Sequence, residues 1–135
     1  MSAEKLQLGI AVRNLEQAVD RAEKLFGIGP FRTIDVPEAG VRAAMADWAG
    51  VELEYIEATS VETKKNYEKI LDKYAAKLIH IGAYVPDKDQ QTEHFKSLGV
   101  PVVYDNVGNE ELRTSMVDLR QDAGFLLEIL QPLTK

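Results

Sequence analysis

Hydrophobic and polar residues alternate along residues 6–12, near the start of the chain. The apolar positions are Leu6, Leu8, Ile10 and Val12, and the positions between them are Gln7, Gly9 and Ala11. A two-residue period is typical of a strand with one buried face, because successive side chains of a strand point to opposite sides. The pattern therefore predicts a first strand over residues 6–12 that buries its apolar face.

After this strand the apolar period lengthens to three and four residues, which predicts a helix that continues to Phe26. Asn14 stands where a side-chain oxygen can accept a hydrogen bond from the first turn, and Gly27 stands where helices commonly end. Three more strands are predicted from short apolar runs separated by turn signals, over residues 31–36, 41–47 and 51–57. The first half therefore has the order βαβββ.

The same order returns in the second half, after a charged segment over residues 60–75 that is predicted to form a connecting helix. The elements predicted there are a strand over residues 77–85, a helix over 87–98, and strands over 102–104, 112–119 and 125–130. The fold class predicted from this order is α+β, with two tandem βαβββ modules. We expect one domain over residues 1–135, with module one at about 5–58, the connecting helix at about 60–75 and module two at about 76–133.

Individual residues also repeat between the two halves. His80 follows Gln7 by 73 residues, and Glu128 follows Glu54 by 74 residues. A single-residue difference in loop length accounts for the two offsets. Agreement at both ends of the modules indicates a true internal repeat.

These four residues, Gln7, Glu54, His80 and Glu128, are polar groups inside otherwise apolar strands. One such residue alone usually has a structural or solvated role, but four positions related by a repeat favour a common one. Burying carboxylates is costly unless a positive charge compensates them, and a divalent cation would do so. The sequence therefore predicts a site for one divalent metal ion, which the ligand types do not narrow beyond zinc, nickel, cobalt, manganese or iron.

Composition excludes several other functions. The net charge of −6 and the pI near 4.9 disfavour nucleic acid and anionic membranes as partners. The absence of cysteine excludes disulfides, thiolate nucleophiles and cysteine-ligated metals. No apolar run approaches the length of a membrane span, and the first five residues lack the apolar core of a signal peptide. A cytoplasmic location is therefore expected.

Four segments resemble the vicinal oxygen chelate superfamily, which includes glyoxalase I, methylmalonyl-CoA epimerase, extradiol dioxygenases and bleomycin-resistance proteins. The segments cover residues 8–16, 25–31, 79–82 and 124–128. The resemblance implies that the two modules form an open, cup-shaped mixed sheet with helices outside. It also implies a metal held by one residue from each of four strands, and the matching positions are Gln7, Glu54, His80 and Glu128.

Individual branches of the superfamily match in part. The ligand order Gln, Glu, His, Glu resembles some glyoxalase I enzymes, but the arginine that holds the glutathione carboxylate in those enzymes is replaced here by Ala11. The short length and the segment over residues 26–31 resemble methylmalonyl-CoA epimerases, whose second carboxylate falls near Ala43 in this chain. The iron site of extradiol dioxygenases needs His, His and Glu, which Gln7 and Glu54 do not match.

The resemblance implies an enzyme that moves a proton next to a carbonyl group through a metal-stabilised enediolate or enolate, as an isomerase or lyase. Glu128 is the expected catalytic carboxylate, and Glu54 is its rival. The expected substrate is a small carbonyl compound, with thioesters and thiol adducts among the candidates, and the expected assembly is a homodimer. The alternative is a non-catalytic protein of the bleomycin-resistance type that sequesters a ligand.

Overall fold

The computed structural model describes residues 3–133. The elements in this range are β1 (Lys5–Val12), α1 (Leu15–Phe26), β2 (Arg32–Val36), a 3-10 turn (Pro37–Ala39), β3 (Val41–Trp48), β4 (Val51–Ala58), α2 (Val61–Leu71), β5 (Ala76–Tyr84), α3 (Lys88–Ser97), β6 (Val102–Gly108), β7 (Leu112–Asp118) and β8 (Leu126–Pro132). This order confirms the predicted α+β class and the two βαβββ modules. None of the helices in this range is long and apolar enough to span a membrane.

The described chain divides into two compact units. The N-terminal unit contains residues 8–79, and the C-terminal unit contains residues 80–133 together with residues 3–7. The predicted single domain and its module boundaries stay predictions, as does the homodimer. The predicted domain also includes residues 1, 2, 134 and 135, which lie outside the described residues.

In the N-terminal unit, the strands lie in the order β2-β3-β4-β1, and β2, β3 and β4 are antiparallel neighbours. Its core forms where α1 packs on one face of these strands. The buried residues of this core are Val12, Leu15, Ala22, Ala44 and Tyr55. The opposite face of β3 and β4 is therefore not covered by α1.

In the C-terminal unit, the strands lie in the order β5-β8-β7-β6. Strand β5 is parallel to β8, whereas β8, β7 and β6 are antiparallel neighbours. Its buried core residues are Ala83, Val85, Val117, Leu127 and Ile129. Both units thus place an apolar core on one face of their strands.

The helix caps follow the internal repeat. The Asn14 side chain accepts a hydrogen bond from the backbone N–H of Gln17 at 3.0 Å, and Asp87 accepts one from Gln90 at 3.0 Å. Both caps satisfy a donor that the first helical turn would otherwise leave without a partner. Gly27 ends α1 in the left-handed conformation, as predicted.

Burial along β1 differs from the sequence prediction. Val12 is buried, but Leu6 at the other end of the apolar face is 45% exposed. Gln7, on the polar face, is only 2% exposed. The expectation that residues 6–12 bury their apolar face is therefore wrong for the start of the strand, because the core beside α1 includes Val12 and not Leu6.

Strand β6 also differs from prediction, since it continues to Gly108 and not only to residue 104. The register between β6 and β7 shifts on both sides of Tyr104, and Asn106 has a φ of 55°. Such irregularities bend a strand and break the alternation by which it is recognised. They explain why the polar second half of β6 does not read as a strand.

Asp105 ties β6 to its neighbours next to this irregularity. Its carboxylate accepts hydrogen bonds from Ser115 Oγ at 2.6 Å and from Lys96 Nζ at 3.1 Å. The Ser115 hydrogen bond, followed by that of Lys96, holds the pKa of Asp105 below its ordinary value of 3.8. Ionised Asp105 therefore stabilises the fold, and this contribution is lost as the pH falls through the lowered pKa.

We expect Asp105→Asn to lower Tm at neutral pH and the difference from wild type to shrink between about pH 5 and pH 3, where the wild-type carboxylate takes up its proton. Thermal unfolding followed by circular dichroism across this range is the measurement. Asp122→Asn, at an exposed position, is the matched control. A Tm difference for Asp105→Asn that stays constant with pH would contradict the assignment.

Candidate metal centre

Three of the four predicted ligands lie together in the C-terminal unit. His80 is on β5 and Glu128 is on β8, and the register of the parallel pair places Glu128 opposite Gly82. The distance from His80 Nε2 to Glu128 Oε1 is 3.3 Å. His80 is buried and Glu128 is half-buried, so both donors lie within the sheet and not at its rim.

Gln7 reaches this group because of the glycine at position 82. A Cβ atom added to Gly82 would lie 2.9 Å from Gln7 Oε1 and 2.8 Å from Leu130 Cδ1. Contacts this short would force the neighbouring atoms to shift. The missing side chain therefore leaves the space in which the Gln7 amide oxygen lies, over the strand position that pairs with Glu128.

The donor atoms fit a divalent metal ion. Nitrogen and oxygen ligands of an ion such as zinc lie about 2.1 Å from it, so two ligands of one ion are separated by roughly 3 Å. The 3.3 Å between His80 Nε2 and Glu128 Oε1 matches this separation. Imidazole, carboxylate and amide oxygen also form a mixed set that suits divalent first-row metals, and the set does not identify which metal binds.

Tyr104 adds a contact that the sequence did not predict. Its hydroxyl donates a hydrogen bond to Glu128 Oε2 at 2.7 Å. The register across three antiparallel strands aligns Tyr104 with Met116 and Met116 with Glu128, which places the side chains on one face. The two oxygens of Glu128 therefore differ, since Oε1 lies beside His80 and Oε2 is held by a phenol.

The signal for Tyr104 was present but weak. Tyr104 was placed in a strand from its sequence, yet its partner across the sheet depends on the two register shifts in β6. A shift of one residue moves a strand side chain to the other face. Sequence alternation alone could not show that Tyr104 and Glu128 share a face.

Glu54, the fourth predicted ligand, lies on β4 in the N-terminal unit, where it is half-buried. It is aligned with Met45 of β3, just as Glu128 is aligned with Met116 of β7. This equivalence extends the internal repeat from the sequence to the register of the strands. The structure thus groups Gln7, His80 and Glu128 within one unit, and the part of Glu54 in the same metal site stays a prediction.

Solved structures of methylmalonyl-CoA epimerases are similar to this chain. A variant of the Streptomyces coelicolor enzyme in complex with 2-nitronate-propionyl-CoA is 25% identical, with a TM-score of 0.81 over 98% of this chain and 100% of that chain. A methylmalonyl-CoA epimerase in complex with methylmalonyl-CoA and NH4+ is 26% identical, with a TM-score of 0.80 over 97% and 96%. The Mycobacterium tuberculosis enzyme, at 23% identity and a TM-score of 0.79 over 98% and 93%, shares the fold.

The sequence profile of the Glyoxalase/Bleomycin resistance protein/Dioxygenase superfamily matches residues 6–117. No curated protein sequence matches the chain significantly. The profile match includes Gln7, Glu54 and His80 and ends before Glu128, whose place beside His80 comes from the structure. The chain therefore belongs to the glyoxalase, bleomycin resistance protein and dioxygenase superfamily, which is the vicinal oxygen chelate superfamily that its motifs resemble.

Proposed function

We propose that this protein is a metal-dependent isomerase or lyase that transfers a proton at the carbon next to a carbonyl group. The observation that carries the proposal is the group formed by Gln7, His80 and Glu128, in which one Glu128 oxygen lies beside His80 and the other is held by Tyr104. Similarity to epimerases solved with CoA thioesters supports a thioester as the substrate. The proposed type is that of methylmalonyl-CoA epimerase or glyoxalase I.

Gln7, His80 and Glu128 would hold the metal, with Glu54 as the fourth ligand assigned from the internal repeat. The chemistry that a bound divalent ion supplies is Lewis-acid stabilisation of the negative charge that develops on the carbonyl oxygen of the substrate. Glu54 would add a second negative charge to that of Glu128, so that the protein ligands balance a charge of +2. Neutral Gln7 contributes an oxygen without adding charge.

Glu128 is the proposed base. Its carboxylate takes the proton from the carbon next to the carbonyl, and the electron pair of the broken C–H bond moves onto the carbonyl oxygen. Return of a proton to the other face of that carbon gives the epimer, whereas return to the neighbouring carbon gives an isomer. Gln7 cannot serve as a base at neutral pH, and His80 is assigned to the metal.

Tyr104 is the proposed positioning residue for this base. Because its hydroxyl holds Oε2 at 2.7 Å, the carboxylate keeps one fixed oxygen while the other exchanges partners. Fixing a reacting group in this way reduces the conformational freedom that must be lost in the transition state. Glu54 occupies the equivalent position of the first module, and could serve the opposite face of the substrate.

The first test concerns the metal. We expect the purified protein to bind about one divalent ion per chain. Gly82→Ala should weaken this binding, because its Cβ would lie 2.9 Å from Gln7 Oε1. Elemental analysis, and calorimetric titration of the metal-free protein with Zn²⁺ and Mn²⁺, measure both effects.

Gly50→Ala is the control for lost stability alone. Gly50 has a φ of 80° and open space around it, so its substitution strains the β3–β4 turn without touching a proposed ligand. Wild-type protein that contains no metal, and shows no thermal shift with any of the candidate ions, would contradict the metal site. Equal metal affinity for Gly82→Ala and wild type would contradict the role of Gln7.

The second test separates the two carboxylates. We expect Glu128→Gln to retain an oxygen ligand and lose at least about 100-fold in exchange of the substrate α-proton with solvent, because the amide cannot accept the proton as a base. Methylmalonyl-CoA in deuterated water, followed by mass spectrometry, is the first probe. Glu54→Gln is the matched variant from the other module.

The outcomes of this comparison are distinct. Wild-type exchange by Glu128→Gln with metal retained would reject Glu128 as the base. Loss of one direction of epimerisation in each variant would instead assign the task to both carboxylates. Wild-type protein that binds metal and methylmalonyl-CoA but exchanges no proton would favour a ligand-sequestering protein.

The third test concerns Tyr104. We expect Tyr104→Phe to keep its metal and lower kcat by about tenfold or more with little change in KM, since a hydrogen bond to a charged group contributes about 1.5–3 kcal/mol. Tyr74→Phe, at a position that is 55% exposed, is the control. A change in metal content, or in KM alone, would show that Tyr104 does not act by positioning Glu128.

A further inference from the structure

The two modules differ at one position that the internal repeat makes equivalent. In the second module, Tyr104, Met116 and Glu128 are aligned across β6, β7 and β8. In the first module, the aligned residues across β2, β3 and β4 are Arg32, Met45 and Glu54. A guanidinium therefore occupies the place that the phenol of Tyr104 has in the other module.

Arg32 lies on the same face of the sheet as Glu54. Residues directly opposite each other in antiparallel strands share a face, and Arg32 Nη2 lies 3.9 Å from the sulfur of Met45. The opposite face carries α1, whose core includes Ala44 and Tyr55. Arg32 thus stands on the face of the N-terminal unit that α1 leaves uncovered.

The guanidinium is held at one point and is otherwise accessible. Arg32 Nη2 lies 3.8 Å from Glu52 Oε2, and the side chain of Glu52 is 9% exposed whereas that of Arg32 is 69% exposed. A separation of 3.8 Å is too long for a hydrogen bond, so this ion pair does not use the N–H donors of the arginine. Among residues 3–133, the Arg32 side chain donates no hydrogen bond to an oxygen atom.

An ordinary surface ion pair does not account for this arrangement. The carboxylate of Glu52 is buried on the sheet face, two residues before Glu54, and a charge in that place needs a compensating one. Arg32 supplies it from the edge strand while the planar fork of its guanidinium points outward. Such a fork binds a carboxylate through two parallel hydrogen bonds.

We propose that Arg32 binds a carboxylate group of the substrate, so that the protein selects acidic carbonyl compounds over neutral ones. This inference rests on the proposed function, because it takes the face that carries Glu54 as the face on which substrate binds. Adjacent antiparallel strands lie about 4.8 Å apart, which puts the backbones of Arg32 and Glu54 about 10 Å apart. A small dicarboxylic substrate with one acyl group esterified spans that distance together with the two side chains.

Arg42 offers a contrast on the same strands. Its Nε donates to Glu57 Oε1 at 2.6 Å, and its Nη2 donates to Glu16 of α1. These hydrogen bonds, first that to Glu57 and then that to Glu16, raise the pKa of Arg42. Arg42 is thus a structural arginine on the α1 face, whose donors already have carboxylate partners.

The test compares two probes that differ by one carboxylate. Methylmalonyl-CoA and propionyl-CoA share the CoA portion and the thioester, and their affinities for the metal-loaded protein are measured by calorimetry without turnover being required. We expect the wild type to prefer methylmalonyl-CoA. Arg32→Gln should weaken methylmalonyl-CoA binding by about tenfold or more and leave propionyl-CoA binding unchanged, since only the first probe loses charged hydrogen bonds.

Two more variants sharpen the result. Arg32→Lys keeps the charge without the fork and should restore part of the preference, whereas Arg42→Gln should leave the preference intact even where it lowers Tm. Equal affinity of the wild type for both probes, or binding of neither, would overturn the inference. Equal weakening of both probes by Arg32→Gln would assign the arginine to a phosphate of CoA and overturn it as well. Loss of proton exchange without these changes counts against the proposed function alone.

Discussion

The cost of placing polar side chains inside apolar strands is the constraint on which the rest of this structure depends. Gln7 and His80 are buried on strands whose other residues form the core, and Glu128 stands half-buried beside them. A sheet tolerates such residues only when their charges and hydrogen-bonding groups are compensated. The missing side chain at position 82 and the phenol of Tyr104 are both parts of that compensation, because one makes room for an amide and the other satisfies a carboxylate oxygen.

Much of the fold was predictable because it is written in local patterns. The turn residues, the caps at Asn14 and Asp87 and the change of apolar period between strands and helices gave the order of elements in both modules. The repeat then selected Gln7, His80 and Glu128 without any knowledge of their distances. Strand alternation failed at the start of β1, where Leu6 is exposed, because burial there depends on which elements pack nearby and not on the strand itself.

Contacts across several strands were not predictable in the same way. Tyr104 reaches Glu128 through the register of three strands, and that register depends on bulges in β6 that no periodicity reveals. Arg32 was hidden for a related reason, since its relation to Glu54 passes through Met45 on an intervening strand. In both cases the internal repeat contained the missing information. Comparing the two modules position by position would have paired Arg32 with Tyr104.

The irregular register of β6 also limits how the chain can change in length. Tyr104 and Asp105 are adjacent, and they make hydrogen bonds to different partners, Glu128 for one and Ser115 with Lys96 for the other. Inserting or deleting one residue before Tyr104 within β6 would exchange the two sides and break both sets of contacts at once. The turn over residues 109–111 lies beyond this point and is exposed. Descendants of this sequence can therefore lengthen the β6–β7 turn freely, whereas the first half of β6 must keep its residue count.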